Sequence, residues 1–457
     1  MNAHQDLPRG VVLGALALAC AGAAAAPDAA DDGAAVSSGA APLQIGLHAT
    51  AIGTSQRKSA ELDIPAPAER DREARLRVTG RGSWALSPAL HATLSGSLTN
   101  QLVHTPGRPT ERRMGTDLRE GFLSWQIGQT SYLEAGRIIE RNGVAFGSSP
   151  SDPMRALAAD TNSLDGTETR DARHGVYMVR YTHITEQGSF ALLHAPRLRR
   201  PDASLIATID KGIGSMQTNW HPRTLLKVSV NLNEDVSPDL VAYHDSLGTS
   251  LAASLVVGSG GATTWYAEGG VSDRRPLGDE ALRLGRQIGY LPAGTSTWTP
   301  EGAAPRYAAD ASLGFVHTLD SRLTLNLEYG WSGRAFDRDQ WRRWFDSGQA
   351  ARSAAELAPL WFMRSYASAM QEPISRQYLL ARFELKNAFG VDRLGAAGHV
   401  YAALAPYSTT WQASLRYAGI PSSVLSASVF DRTGGRRTEF GSTHKDAGLL
   451  LRLERYF

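Results

Sequence analysis

The residues best placed to do chemistry are arginines. Arg75, Arg77 and Arg81 share one parity in a stretch whose other parity carries Leu76, Val78 and Trp84. In an extended strand, residues of one parity line one face. The three guanidiniums would therefore form a column along a single strand. Their planar fork suits carboxylate and phosphate, and basic rings select anions in pores. The same parity rule on other stretches adds Lys227, Arg382, Lys386, Arg416 and Arg452 as basic positions. It adds Glu120, Glu268, Asp310, Glu328, Glu384 and Glu454 as acidic ones. The two sets nearly balance, so the surface they share is no strong anion trap. The plain alternative is that the Arg residues pair with these carboxylates and stiffen a wall.

A second charged group lies in one long segment, 142–173, with Asp152, Arg155, Arg170 and Arg173 among further Asp and Glu residues. Opposed charges across a narrow gap would set a transverse field that favours polar solutes. This segment is the candidate constriction loop.

Catalytic patterns are absent from the sequence. The twelve His residues show no metal-ligand spacing, and there is no Gly-x-Ser-x-Gly elbow. A lone strand His such as His317 is more readily structural than catalytic. The expectation is no enzyme, no metal and no cofactor, with an outer-membrane hydrolase as the least favoured reading. The net charge of +2 gives no reason to expect nucleic acid. Lys supplies five of the basic residues (Lys58, Lys211, Lys227, Lys386, Lys445), so Arg carries nearly all the positive charge.

What must position these side chains is a strand, many times over. Leu323, Leu325, Leu327, Tyr329 and Trp331 alternate with Thr324, Asn326, Glu328, Gly330 and Ser332. Leu226, Val228, Val230 and Leu232 do the same against Lys227, Ser229, Asn231 and Asn233. Facing lipid, an Arg near the bilayer midplane costs about 2–4 kcal/mol, so a one-residue slip of the Arg75 stretch would cost roughly 6–12 kcal/mol. Eighteen stretches follow this pattern, from 43–54 to 446–457, and they include 212–221, 224–234 and 246–257. The segments between them alternate in length. Segments 55–72, 104–117, 142–173, 196–211, 235–245, 273–306, 334–375 and 432–445 are long; 405–408 alone is short on that side. The others are tight turns such as Ser87-Pro88 and Asp320-Ser321. Long outer loops and short inner turns are the habit of membrane barrels. A soluble sandwich has no reason to sort its loops this way.

The N-terminus reads as an export signal: Arg9, an apolar run from Val11 to Ala19, then small residues to Ala26. Residues 1–26 are the expected signal peptide and 27–42 a flexible lead-in. Cys20, the single Cys, falls in that leader, so no disulfide framework is expected. Residues 43–457 are expected to form the barrel.

The last strand carries Leu449, Leu451, Leu453 and terminal Phe457 at alternate positions. It resembles the C-terminal signal of Gram-negative outer-membrane barrels, except that Arg455 takes a usually apolar place. The resemblance implies residence in the outer membrane, contact with its lipid, and insertion by the barrel-assembly machinery through the strand ending at Phe457. The size is similar to that of substrate-specific porins and of the alginate-exporter barrel, and no motif selects between them.

The expected fold is all-β: a single transmembrane antiparallel β-barrel of about 18 strands (16–18). The expected function is a passive outer-membrane channel, for uptake or export of a small hydrophilic solute or a polysaccharide, acidic solutes being favoured by the Arg residues. Its pore lining would comprise Arg75, Arg77, Arg81, Glu268, Glu328, Arg382, Glu384, Lys386, Arg416 and Arg452. The rival is a non-transport surface or assembly protein whose lumen is closed by loops. Segment 334–375, with Trp341, Trp344, Leu357, Leu360, Trp361 and Phe362, is long enough for one or two helices that cap the mouth or lie against lipid.

Overall fold

The computed structural model describes residues 43–58, 61–156, 173–202, 217–233, 236–259, 261–291, 307–319 and 322–457. The expected signal peptide, the lead-in and Arg170 lie outside the described residues. Eighteen strands follow one another: β1 (Gln44–Gln56), β2 (Arg72–Ser87), β3 (Leu90–His104), β4 (Glu111–Ile127), β5 (Ser131–Ile138) and β6 (Val176–Thr185). Next come β7 (Gly188–Ala195), β8 (Arg223–Val230), β9 (Val236–Asp245), β10 (Gly248–Gly258), β11 (Thr263–Ser272) and β12 (Ala308–Leu319). The last six are β13 (Leu323–Ser332), β14 (Gln377–Leu385), β15 (Leu394–Leu404), β16 (Tyr407–Ile420), β17 (Ser423–Gly434) and β18 (Lys445–Tyr456). Each pairs antiparallel with its sequence neighbours, and β1 pairs with both β2 and β18. The sheet is closed and has no edge.

The period of two sorts the side chains. Cross-strand partners share a face. Phe315 lies opposite Leu327 and Leu313 opposite Tyr329. Leu425 lies opposite Leu453, and Val429 opposite Leu449. Leu313, Leu327, Tyr329, Leu425, Leu449, Trp84, Trp125 and Trp265 are all exposed on the outside. The opposite face is polar: Arg75 meets Gln101, Arg77 meets Thr99 and Arg81 meets Ser95. A band of exposed Leu, Val, Trp and Tyr wrapped round a polar interior is the pattern of a barrel solvated by lipid.

The expected strand list needs two corrections, beside an earlier start of β4 at Glu111. Of the expected strand 212–221, residues 212–216 lie outside the described residues and 217–219 form a 3₁₀ turn, and the expected loop 235–245 contains β9. The two errors cancel in the count. Ser237-Pro238-Asp239 has turn chemistry, but pairing of β9 with β8 ends at Asp239. Pro238 thus lies beyond that ladder and pairs with β10 alone, opposite Leu255, where a missing N–H is tolerated. In the other segment, the Asn219 carboxamide accepts from Tyr177 N and donates to Tyr177 O and Pro196 O. A side chain there stands in for a neighbouring strand.

Among the described residues the outer loops carry three α-helices: α1 (Leu277–Gln287), α2 (Arg338–Ala350) and α3 (Ala354–Met370). Asp337 starts α2 with a capping box, accepting from Gln340 N at 2.8 Å while Gln340 Oε1 accepts from Asp337 N at 2.9 Å. Among the described residues no helix is long and apolar enough to cross a membrane.

Because Leu327 sits on the lipid face of β13, Leu327→Arg should lower folding stability by about 2–4 kcal/mol. Reversible urea unfolding in phospholipid vesicles measures this; an unchanged midpoint would place β13 away from the hydrocarbon.

Candidate functional site: a loop across the bore

After β5, residues 139–156 run inward. β13 stands eight places from β5 in a ring of eighteen, close to the opposite wall. Residues 143–151 reach that wall and are held there by two carboxylates. Glu268 of β11 accepts from the backbone N–H groups of Val144, of Ala145 at 2.7 Å and of Ser151 at 3.2 Å. It also accepts from the hydroxyls of Ser149 at 2.6 Å and Ser151 at 2.7 Å. Glu328 of β13 accepts from Phe146 N at 2.6 Å and Gly147 N at 2.9 Å. The Tyr266 and Tyr378 hydroxyls complete its shell, each at 2.8 Å. Ser312 donates to Ser148 O at 2.7 Å.

Close approach dictates the loop's composition. A Cβ on Gly143 would stand 2.0 Å from Ser149 Oγ, and one on Gly147 would stand 2.6 Å from the Tyr378 ring. Gly143 also has φ +76°, in the left-handed region. Further along, Met154 turns back and packs among Ile138, Met178, Leu193, Leu225 and Val241 on the β5–β9 side. The loop is thus fastened by polar bonds at one wall and by apolar packing at the other.

Glu268 and Glu328, expected on the pore surface, face inward but lie beneath the loop, at 4% and 0% exposure. Asp152 is buried and ion-paired with Arg173. Arg155 donates to Ser149 O at 2.8 Å and Ser148 Oγ at 3.2 Å. These charges are spent on holding the loop, so they do not stand opposed across a gap. Sequence reasoning gave the carboxylates the right face but missed their role. The signal available was Gly143-Val-Ala-Phe-Gly147-Ser-Ser-Pro-Ser151, small residues that leave backbone N–H groups accessible.

The remaining expected positions divide. Register places Arg75, Thr50, Arg452, Ser426 and Arg416 opposite one another on five adjacent strands. With about 4.8 Å per strand, the three Arg residues recur roughly every 10 Å along one inner row. Arg75 pairs with Glu73 at 2.6 Å. Arg452 is buried, 3.6 Å from Glu454. Arg416 is exposed, as are Arg81, Glu384 and Lys386. Arg77 approaches Thr99 Oγ1 at 3.4 Å. Arg382 lies 4.6 Å from the centre of the Phe146 ring, and that ring is 37% exposed. A half-exposed aromatic with a guanidinium over it therefore stands where the loop meets the far wall. Lys227 pairs with Asp239 at 3.0 Å. Beside it, Arg180 bridges Glu134 and Glu140 at 2.5 and 2.6 Å in a pocket of about 350 Å³.

Above the loop sits a helical cap. Trp341, Trp344, Phe345, Phe362, Met363 and Tyr366 of α2 and α3 share one apolar core with Leu277 and Leu284 of α1, Ile64 and Trp220. Arg364 lies 5.4–5.6 Å from the rings of Trp341, Trp344 and Trp361 and donates to Ser442 Oγ and Glu439 O, both at 2.6 Å. Burial pushes its guanidinium down to about 10. Gln371 donates to Arg155 O at 3.0 Å, tying cap to loop. Under the cap, Arg334 spans Glu280 at 3.0 Å and Glu372 at 2.9 Å, and Arg274 also contacts both. Segment 334–375 is therefore a cap joining loops from around the ring.

No family model matches this sequence, and no curated protein matches it. Solved structures do. The chain is similar to Pseudomonas aeruginosa OccK5 (OpdH), with TM-score 0.51, 8% identity, and 91% of this chain aligned to 97% of that one. It is also similar to OccK8 (OprE) of the same organism, at TM-score 0.49, 11% identity, and 91% and 97% coverage. A third is OprD of that organism, at 0.46, 9%, and 91% and 94%. The fold is that of a Gram-negative outer-membrane barrel. The outer-membrane barrel is thus shared while almost no residue identity is, and the side-chain arrangement above belongs to this chain. Among the described residues, no three His, Cys, Asp or Glu side chains gather as a metal site.

Two outcomes follow for this barrel. Glu268→Gln with Glu328→Gln turns charge-assisted bonds into neutral ones, each weaker by roughly 1 kcal/mol or more. Amide exchange at Val144, Ala145, Phe146 and Gly147 should then accelerate at least about tenfold by mass spectrometry; equal exchange would mean that the carboxylates do not hold the loop. Second, burial alone would raise the Glu372 carboxyl, but Arg334, Arg274 and Arg155 outweigh it and hold it at about 2, against an ordinary 4.5. A depressed carboxylate stabilises fully above pH 4.5 and loses that contribution as pH falls toward 2. The urea midpoint of the cap's Trp fluorescence should fall between pH 5 and pH 3, and Glu372→Gln should flatten that dependence. A wild-type midpoint constant over this range contradicts the assignment.

Proposed function

We propose that the protein is a passive outer-membrane channel for small hydrophilic solutes, with acidic solutes favoured. The observation that carries this reading is the combination of an inward loop spanning the bore with exposed guanidiniums beside the passage it leaves. An eighteen-strand barrel is too wide for wall side chains to fill, and the fastened loop 143–155 narrows it. Arg81 and Arg416, exposed and without a partner among the described residues, then present their forks to carboxylate or phosphate. Arg75 and Arg452 extend the row on the same face while being held by Glu73 and Glu454. Lys386 and Glu384 are the other exposed charges proposed to line the passage, with Arg382 and Phe146 at the narrowing. The mechanism is diffusion past fixed charges, with no cofactor and no bond made or broken. A polysaccharide would have to thread past the loop, so small solutes fit better. Insertion through β18 is supported by outward Leu449 and Leu451 and by Arg455, which lies 5.4 Å from the Phe457 ring and so shares its apolar surface.

One observation favours a second reading. The cap of α1, α2 and α3 reaches Pro65, Arg155 and Ser442, in loops set around the mouth. A barrel sealed this way would act as a surface or assembly protein.

Planar bilayers separate the two. The channel reading expects ohmic conductance steps, and a silent membrane across salt and voltage favours the sealed barrel. With conductance present, Arg81→Glu combined with Arg416→Glu should raise the cation-to-anion permeability ratio by roughly twofold or more. An unmoved reversal potential would remove both residues from the lining.

A further inference from the structure

The outer rim of β2, β3 and β4 carries arginines that point away from the bore. Register decides the face. Arg72 lies opposite His104, Ala74 opposite Leu102, Leu76 opposite Asn100 and Val78 opposite Leu98. On the next strand, Leu102 meets Arg112, Asn100 meets Met114 and Leu98 meets Thr116. Opposed residues share a face. Arg72 and Arg112 therefore stand on the face of Leu76, Val78 and Leu98, which is the lipid band. Arg75, Gln101 and Arg113 occupy the other face.

These outward guanidiniums have little to hold them. The Arg72 side chain is 64% exposed, and its nearest carboxylate, Asp71, is 3.9 Å away and bonded at 2.6 Å to His104. Arg112 donates to a neutral partner, Asn100 Oδ1, at 3.3 Å. Glu111, the carboxylate of the same hairpin, is turned to Arg113 at 2.7 Å. Arg108 at the hairpin tip is exposed, and Met114 is 67% exposed. Arg112 is level with Ala74 and Arg72 lies one outward position higher, so both sit roughly 7–13 Å along the strand above Leu76. An Arg facing the mid-bilayer is costly, whereas one at the interface is nearly free. Two unspent forks therefore stand at head-group level, directly above an apolar strip.

We propose that this rim binds an anionic glycolipid of the outer leaflet, with Arg72 and Arg112 gripping its phosphate and Leu76, Val78 and Leu98 taking its acyl chains. Two features argue for a lipid rather than a soluble anion. The arginines are continuous with the lipid-facing band, and both point away from the passage that a soluble anion would use. Phosphate supplies the bidentate acceptor that Asp71 does not.

The test is native mass spectrometry of the folded, detergent-solubilised protein with three probes: bisphosphorylated lipid A, lipid A stripped of its phosphates, and inorganic phosphate. Wild type should retain bisphosphorylated lipid A and take up the stripped form at least about fivefold less. Arg72→Ser with Arg112→Ser should lose that difference, while Arg393→Ser, at the opposite end of the barrel, should keep it. Heat-modifiable gel migration confirms that each variant is folded, and Arg112→Ser alone carries the comparison if the double variant is not. Equal retention of lipid A by wild type and variant overturns the proposal. So does equal uptake of both lipids by wild type, or displacement of lipid A by an equal concentration of inorganic phosphate.

Discussion

Hydrocarbon offers a backbone N–H no partner, and the rest of this structure follows from that constraint. Each unpaired group costs several kcal/mol in the bilayer, so a sheet that spans it must close. Closure is made between β1 and β18, from Gly46 opposite Tyr456 to Thr54 opposite Gly448. A closed ring of eighteen strands cannot fill its own interior. The same rule that removes the sheet's edges therefore creates a space that something else must occupy. In this chain the occupant is a piece of irregular backbone.

Irregular backbone inside a barrel meets the original difficulty again, because its N–H groups lack ladder partners. The answer here is a pair of wall carboxylates. Burying a carboxylate is expensive unless hydrogen bonds to its charged form compensate. Glu268 gathers five donors and Glu328 four. The loop satisfies the carboxylates, and the carboxylates satisfy the loop. Each side is a liability without the other, and this reciprocity explains why residues 143–151 are almost all small. The cap repeats the logic with signs reversed, since buried Arg334 and half-buried Arg274 are answered by Glu280 and Glu372.

What could be read from sequence follows the range of each interaction. The barrel was legible because alternation is local: Leu323 to Trp331 shows its lipid face within nine residues. It failed where chemistry and pattern disagreed. Ser237-Pro238-Asp239 looks like a turn, and only the end of the β8 ladder at Asp239 explains why a strand survives it. Parity gave Glu268 and Glu328 their inward direction. It could not reveal that a loop more than a hundred residues earlier in the chain would land on them, because no local pattern encodes that contact. Likewise Arg75, Arg416 and Arg452 were legible as separate inward residues, but the row they form depends on register across five strands.

The abundance of Arg over Lys takes on meaning only through this geometry. One residue type occupies four environments here. Arg75 is paired on the inner wall, Arg416 has no partner there among the described residues, Arg364 lies among three Trp rings, and Arg72 is on the outward face at the rim. An ammonium could serve as a point charge on the inner wall. It would do poorly between indoles, where a weakly hydrated planar cation can stack while its edge donates to Glu439 O and Ser442 Oγ. Composition alone therefore says little about anion selectivity. Parity, register and partner decide which guanidiniums remain free among the described residues, and on the inner wall Arg416 and Arg81 do, while Arg75 and Arg452 are held by Glu73 and Glu454.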